Sequence, residues 1–285
     1  MKFFKGSVFA IVSAFLFALN IIVNKIGLRQ SISPFEFTVL SGVVAGLLCL
    51  PLIIRGKAQL KNQSKATWIQ VFVIGATASG LASFLFIWGQ SLTQAAQAGF
   101  LMSSASFFTV IFAYLILGEK MKKQQYPWVL ILFSGIYLLT VGLRTLKFNF
   151  GDLLVILAAA IVGFTNVLAK IPMKKLSGDN IAYLRLLIGM FILLIAVPFI
   201  SPNIFQSIGV VQPWYILSGI LMWGVIVAFY KAIEYAGPAL ATLVLVSYPF
   251  LAALLAAAIL KETLTVVQLV GGAVISLSVY KISRL

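Results

Sequence analysis

The chain has 285 residues, 62% of them hydrophobic and 9% charged, with a mean hydropathy of +1.10 and a formal charge of +15. A soluble domain carries about 25% charged residues, so these charges are too few to coat a soluble enzyme, a disordered chain or a coiled coil. Most of the surface is set against lipid, and the basic excess reads as loop charge that orients membrane spans rather than as a nucleic-acid footprint.

A spanning helix needs about 20 mainly apolar residues. Stretches without Asp, Glu, Lys or Arg predict spans at 6–27, 35–54, 69–90, 95–117, 125–143, 152–171, 181–200, 212–234, 239–260 and 265–283. Two of these stretches are long enough for a pair of spans. The 66–118 stretch divides at Gln90, Ser91, Thr93, Gln94 and Gln97, and the 186–230 stretch divides between Pro198 and Pro213. The N-terminus carries Lys2 and Lys5 before an apolar run, but no small-residue cleavage site follows, so it reads as a first span and not a leader. With the N-terminus placed in the cytoplasm, thirteen basic residues fall on inside segments and five on outside ones. That bias predicts an inner-membrane, multi-pass protein with both termini cytoplasmic.

The sequence has no His and one Cys, Cys49, in an apolar run. An intrachain disulfide is excluded, and a zinc or haem site has almost no ligands to draw on. No metal, no cofactor and no catalytic residue is expected. No phosphate-binding GxxxxGK[ST] loop occurs, so the chain does not itself use ATP. An intramembrane enzyme would need a convergent acid, base and nucleophile, a channel a ring of like residues or a filter, and neither pattern appears.

The chain repeats itself. At a shift of 145, Gly6, Ile11 and Lys25 fall on Gly151, Ile156 and Lys170. Near a shift of 143, Ser104, Phe107, Glu119, Gln125 and Tyr137 meet Ser247, Phe250, Glu262, Gln268 and Tyr280. The units are 1–145 and 146–285, each with five spans. An odd number of spans makes the halves face opposite ways, and inverted repeats are the mark of secondary transporters. The predicted fold class is all-α integral membrane, ten transmembrane helices as two inverted five-helix repeats. A non-transporting scaffold has no need of such a repeat.

The stretch from Tyr230 to Ala239 (YKAIEYAGPA), then Tyr248-Pro249-Phe250, then Leu260 to Leu264 (LKETL), resembles the second half of an EamA-type member of the drug/metabolite transporter superfamily. Leu117 to Met121 (LGEKM) is the first-half counterpart, and Tyr183-Leu184-Arg185 looks like the family's arginine in the seventh helix. The resemblance covers nearly the whole chain. It implies a ten-helix carrier with cytoplasmic termini and a pathway lined by spans 1, 3, 4, 6, 8 and 9. It implies no particular substrate, since such carriers take amino acids, nucleosides, vitamins, nucleotide-like cofactors and drugs. The chain departs from a symmetric pattern at Ser41, where the second half has Arg185, and at Trp88, where the second half has Lys231.

Polar side chains inside spans mark candidate contacts with a substrate. Asn20 and Asn24 are four apart and share a face of the first span, as do Asn166 and Lys170 on the sixth. Trp223 and Tyr230 share a face of the eighth. Ser104 in the fourth span aligns with Ser247 in the ninth, where Tyr248 and Pro249 follow. These eight, Asn20, Asn24, Ser104, Asn166, Trp223, Tyr230, Ser247 and Tyr248, are the expected substrate contacts. The competing reading is hydrogen bonding between helices, at about 0.6–2 kcal/mol each. Pro249 lies near the middle of 239–260, lacks a donor for the Leu245 carbonyl, and is the expected hinge. Lys25, Lys170 and Arg185 are the expected gating or charge-selecting groups, and with Lys231 they favour an anionic or zwitterionic small molecule, such as an amino acid. Gly42 and Gly46 form a packing GxxxG, and Glu119 and Glu262 are helix-end markers. No carboxylate lies deep in a span, which favours a uniporter or exchanger over a proton-coupled exporter. Glu234 is the nearest candidate for coupling, and an i,i+3 pair with Lys231 is its simpler role.

Overall fold

A computed structural model describes residues 2–28, 33–61, 63–93, 95–140, 148–202, 204, 213–260 and 265–284. Gln94 and the Lys261 to Leu264 part of the sequence reading, Glu262 included, lie outside them, as do the outside-loop residues Arg29, Arg144 and Lys147. Among the described residues every regular element is helical. The α-helices are α1 (Lys2–Leu28), α2 (Pro34–Leu60), α3 (Lys65–Ile74), α4 (Ala82–Leu92), α5 (Ala95–Phe112), α6 (Tyr126–Thr140), α7 (Phe150–Ala169), α8 (Gly178–Ile200), α9 (Pro213–Ala236), α10 (Pro238–Leu245), α11 (Tyr248–Leu260) and α12 (Val266–Arg284). Two π-helical turns, Gly75–Leu81 and Ala113–Leu117, continue α3 and α5.

Local chemistry sets the helix ends. The Ser33 hydroxyl accepts from Glu36 N at 3.1 Å with Pro34 in the first turn, and Ser64 caps α3 and Ser177 caps α8 in the same way. Asn149 and Asp152 form a reciprocal capping box on α7, with bonds of 3.1 and 2.8 Å. Gly118, at φ +67°, closes the Ala113–Leu117 turn. Gly237, at φ +84°, lets α9 end and α10 begin at once with Pro238.

Among the described residues, eight helical stretches are long and apolar enough to cross a membrane: Phe4–Leu28, Pro34–Ile53, Lys65–Leu92, Gln97–Leu117, Phe150–Lys174, Gly178–Ile200, Pro213–Ala236 and Pro238–Ile259. The fifth and tenth predicted spans correspond to shorter helices, the 15-residue α6 and the apolar Val266–Ile282 within α12.

Packing between the halves is reciprocal. α1 lies against α9, α10 and α11, while α7 lies against α4 and α5. α2 packs on α8, and α6 on α12. Small residues permit the close crossings. A Cβ on Gly46 would stand 2.6 Å from Met190 Sδ, one on Gly189 would overlap Ser79 Cβ, and one on Gly271 would stand 2.6 Å from the Leu139 nitrogen. The ninth span is a correction to the sequence reading. It is one crossing made of two helices, interrupted at Val246 and Ser247, where Ser247 N returns to Val244 O at 3.1 Å. Pro249 therefore stands second in α11, in a first turn where a missing N–H breaks no helical bond, rather than inside a continuous helix.

Candidate functional site

Two adjoining cavities lie between the halves and share Phe17, Ser83, Phe86 and Met222 in their walls. One encloses about 610 Å³ of empty volume, open mouth included, and its polar lining holds Asn20, Asn24, Thr38, Ser41, Ser79 and Ser218. The other encloses about 730 Å³ and places Asn166, Arg185, Ser106 and Tyr248 among Phe17, Phe86 and Phe229. Neither lining contains Asp or Glu.

In the first cavity Asn20, Asn24 and Ser218 close a ring of hydrogen bonds. Asn20 Nδ2 donates to Ser218 Oγ and to Ser218 O, both at 3.0 Å. Asn24 Nδ2 donates to Asn20 Oδ1 at 3.2 Å, and Ser218 Oγ donates to Asn24 Oδ1 at 2.8 Å. All three are buried. The four-residue spacing puts both asparagines on one face of α1, and α9 supplies the serine. The pairing of Asn20 with Asn24 was visible in the sequence; Ser218 was not, because nothing local to it signals a partner in α1.

The second cavity is organised by Arg185. Its guanidinium is buried, with Nε donating to Ser79 Oγ at 2.9 Å and Nη1 to Tyr230 Oη at 3.1 Å. No carboxylate among the described residues pairs with it. Ser79 reaches this place through the Gly75–Leu81 π-turn, where Ser83 Oγ returns to Ala78 O five residues back, at 3.2 Å. Such turns recur at functional sites because the wider coil re-aims the side chains on it. Asn166 is 1% exposed, and neither its Oδ1 nor its Nδ2 has a partner among the described residues. Tyr248 is fully engaged, with Oη donating to Gly99 O at 2.8 Å and standing 3.2 Å from Ser103 Oγ, while its ring meets Phe17 edge-on at 4.8 Å between centroids.

Several predicted contacts sit elsewhere. Ser104 is turned back onto Leu101 O at 2.6 Å, and its neighbour Ser106 faces the cavity instead. Ser247 is in the turn between α10 and α11 and lines neither cavity. Trp223 lines neither cavity, and its Nε1 is buried without a partner. Tyr230 is 0% exposed and reaches the site through Arg185. Spans 2 and 7 join the lining through Thr38, Ser41, Arg185 and Met190, so the expected set of lining spans was too small. Ser41 was visible as a polar residue in its span, a signal that the sequence reading used only for the repeat, whereas Arg185 was named as a gating or charge-selecting group without its span being counted in the lining.

The lysines divide. Lys25 is half-buried and engaged. Lys170 donates to the last carbonyls of α9, Ile233 O at 2.9 Å and Glu234 O at 3.1 Å. Lys231 pairs with Asp179 at 3.3 Å, not with Glu234, whose Oε2 accepts from Gly178 N at 2.8 Å. Beside them, burial pushes the half-buried Glu119 carboxyl above its ordinary value, and the Lys170 charge opposes that shift. At the other mouth Asp152, fully buried, accepts from Thr93 Oγ1 and Gln97 Nε2, each at 2.7 Å. Sequence reasoning missed Asp152, because its place at a predicted span end gave it the look of a loop charge. Among the described residues, no group of three or more His, Cys, Asp or Glu side chains comes together to hold a metal.

The model of the EamA-like transporter family matches this chain twice, over residues 4–141 and 149–284. The chain is similar to the riboflavin transporter ImpX of Fusobacterium nucleatum subsp. nucleatum, with 26% identity over 262 residues that make up 85% of this chain and 88% of the relative. It is also similar in fold to a crystal structure of a protein 18% identical, with a TM-score of 0.70 over 98% of this chain and 95% of the other. The chain belongs to the EamA-like transporter family and is a multi-pass membrane transporter.

Proposed function

We propose that this chain is a secondary carrier that moves a small organic metabolite across the inner membrane by alternating access, as a uniporter or exchanger. It would cross the bilayer ten times in two inverted halves, 1–145 and 146–285, with both termini cytoplasmic. The observation that carries the reading is a cavity between the halves whose lining holds polar groups with no partner among the described residues, both amide atoms of Asn166, together with the Arg185 guanidinium, which pairs with no described carboxylate. Buried polar groups are as a rule satisfied, and a cavity that leaves them open has the makings of a ligand site.

The expectation of anionic or zwitterionic cargo rested on four cations. Lys170 is bound to carbonyls and Lys231 to Asp179, and Lys25 lines neither cavity, which leaves Arg185 as the charge in the lining. A solute rich in acceptor oxygens on a flat apolar body suits that guanidinium and the aromatic walls. Riboflavin, the cargo in the relative's name, has this form. An amino acid held through its carboxylate is the second reading, favoured by the lack of a counter-ion for Arg185.

The test is counterflow. Proteoliposomes preloaded with unlabelled riboflavin, or with an amino-acid mixture, should accumulate the matching labelled solute with no ion gradient. A protonophore should leave the rate unchanged, because Asp152, Asp179, Glu119 and Glu234 line neither cavity. Loss of accumulation with the protonophore would replace this reading with a proton-coupled exporter. Absence of flux for every solute would leave a scaffold.

A further inference from the structure

We propose that Asn166 and Arg185 read the lactam or imide edge of a flat heteroaromatic solute, whose ring lies against Phe17, Phe86 and Tyr248. The inference rests on the carrier reading and names the chemistry that the site selects.

Asn166 is the starting point. An asparagine presents one acceptor and two donors in a single plane. Here both kinds of atom are without partners in a side chain that is 1% exposed and lines the larger cavity. The group that complements them is an adjacent carbonyl and N–H in one plane, as in a lactam. Arg185 adds further donors. Two of its N–H groups are used, on Ser79 and Tyr230, and these hold the planar fork in place so that the rest meet a second carbonyl. A carbonyl, an N–H and a second carbonyl in sequence make an imide.

The walls choose between this solute and a zwitterion. A bound ammonium would have the Asn166 oxygen to face but no carboxylate anywhere in the lining. A cation away from water without a charged partner is expensive. An aromatic ring has the opposite experience. Phe17 and Tyr248 meet edge-on at 4.8 Å, and Phe86 stands 6.3 Å from Phe17, between ring centroids. Met102 and Met222 complete a polarizable wall that adapts to ring edges. Tyr248 spends its hydroxyl on Gly99 and Ser103, so it offers the cavity a ring face rather than a hydrogen bond.

The experiment is equilibrium binding to purified protein in detergent, read by quenching of flavin fluorescence, with riboflavin and 3-methylriboflavin as probes. The N3 methyl removes the imide donor and blocks the edge while keeping the ring and the sugar chain. Wild-type protein should bind riboflavin about tenfold to a hundredfold tighter than the methylated probe, the effect of leaving one buried acceptor unpaired. Asn166→Leu should weaken riboflavin by a similar factor, leave 3-methylriboflavin nearly unchanged, and so erase the discrimination. The variant should fold, since it replaces an unpaired buried amide by an apolar group of similar size. Equal affinity for the two probes in the wild type overturns the inference with no variant needed. Discrimination that survives Asn166→Leu overturns the role of Asn166. Failure of riboflavin to bind while vesicles carry another solute overturns the inference and leaves the carrier reading standing. Asn166-dependent binding without flux does the reverse.

Discussion

The Asn20–Asn24–Ser218 ring joins the first helix of one half to α9 of the other, and Ser218→Ala is the smallest change that opens it. The lost hydroxyl held two bonds. Asn20 Nδ2 keeps the Ser218 carbonyl at 3.0 Å, so its loss is small. Asn24 Oδ1 accepts from Ser218 Oγ at 2.8 Å, and this is the donor the variant removes. One orphaned buried acceptor costs about 1–3 kcal/mol, and hydrogen bonds between membrane helices average about 0.6 with a maximum near 1.7 kcal/mol. The membrane scale governs here, giving about 1 kcal/mol for Ser218→Ala. Asn20→Ala should cost more, about 2 kcal/mol, because it orphans Asn24 Nδ2 and also takes away the amide donor shared by Ser218 Oγ and Ser218 O. If the three residues act as a unit, the double variant should cost less than the sum of the singles by about 1 kcal/mol. Reversible unfolding of purified protein in mixed micelles, run on all four members of the cycle, measures this coupling. Additivity within about 0.3 kcal/mol would refute the reasoning, and would mean that each side chain faces the cavity on its own account.

Three further outcomes follow. A cysteine at exposed Lys120, after Cys49→Ala, should resist an impermeant thiol reagent added outside whole cells, while one at exposed Phe148 should react; the opposite pattern would reverse the proposed orientation. Burial raises the Glu119 carboxyl above its ordinary 4.5, so the folded state holds that proton more tightly, and this contribution is full below pH 4.5 and lost as pH rises through the folded value. Glu119→Gln should therefore match the wild type in acid, lose less stability between pH 4 and pH 7, and show this as a smaller drop in unfolding temperature; identical drops would mean the raised value is not real. Pro249→Ala should leave the fold intact, since position two of a helix tolerates either residue. It should also slow initial uptake, by letting the helix grow back across Val246 and Ser247; wild-type rates at matched protein density would make Pro249 a packing residue.

The sequence carried the span pattern because hydropathy reports the environment of a whole segment. The prediction of 6–27 meets α1 at Lys2–Leu28, and 181–200 meets α8 at Gly178–Ile200. It carried less about direction around a helix. Ser104 and Ser106 lie two residues apart, which is about 200° of rotation; both hydroxyls bond back to their own helix, on Leu101 O and Ser103 O, and of the two it is Ser106 that lies in the cavity wall. The Gly75–Leu81 π-turn adds to that phase, and no composition signal announces it. The partners of Arg185, and the Ser218 partner of Asn20, come from helices more than 40 residues away. Local pattern could pair Asn20 with Asn24 but could not reach across to these. Asn166 is the instructive case: the sequence picked it for its depth in a span, and its significance lies in what it fails to touch, which emerges once every neighbour is placed.

α7 connects the two mouths. At its start Asp152 accepts from Thr93 and Gln97 of the first half. At its end Lys170 faces Glu119, also of the first half, while holding the last carbonyls of α9. The start of the helix is thus bonded across the halves and its end within its own half, with Asn166 one helical turn before Lys170. If the halves rock as proposed, opening on the Asp152 side breaks its bonds to Thr93 and Gln97. The cost of that step has to be small, or the state that keeps those bonds would dominate. Asp152 fits that duty. Among the described residues the carboxylates line neither cavity, where they would bind a coupling proton or a cationic solute.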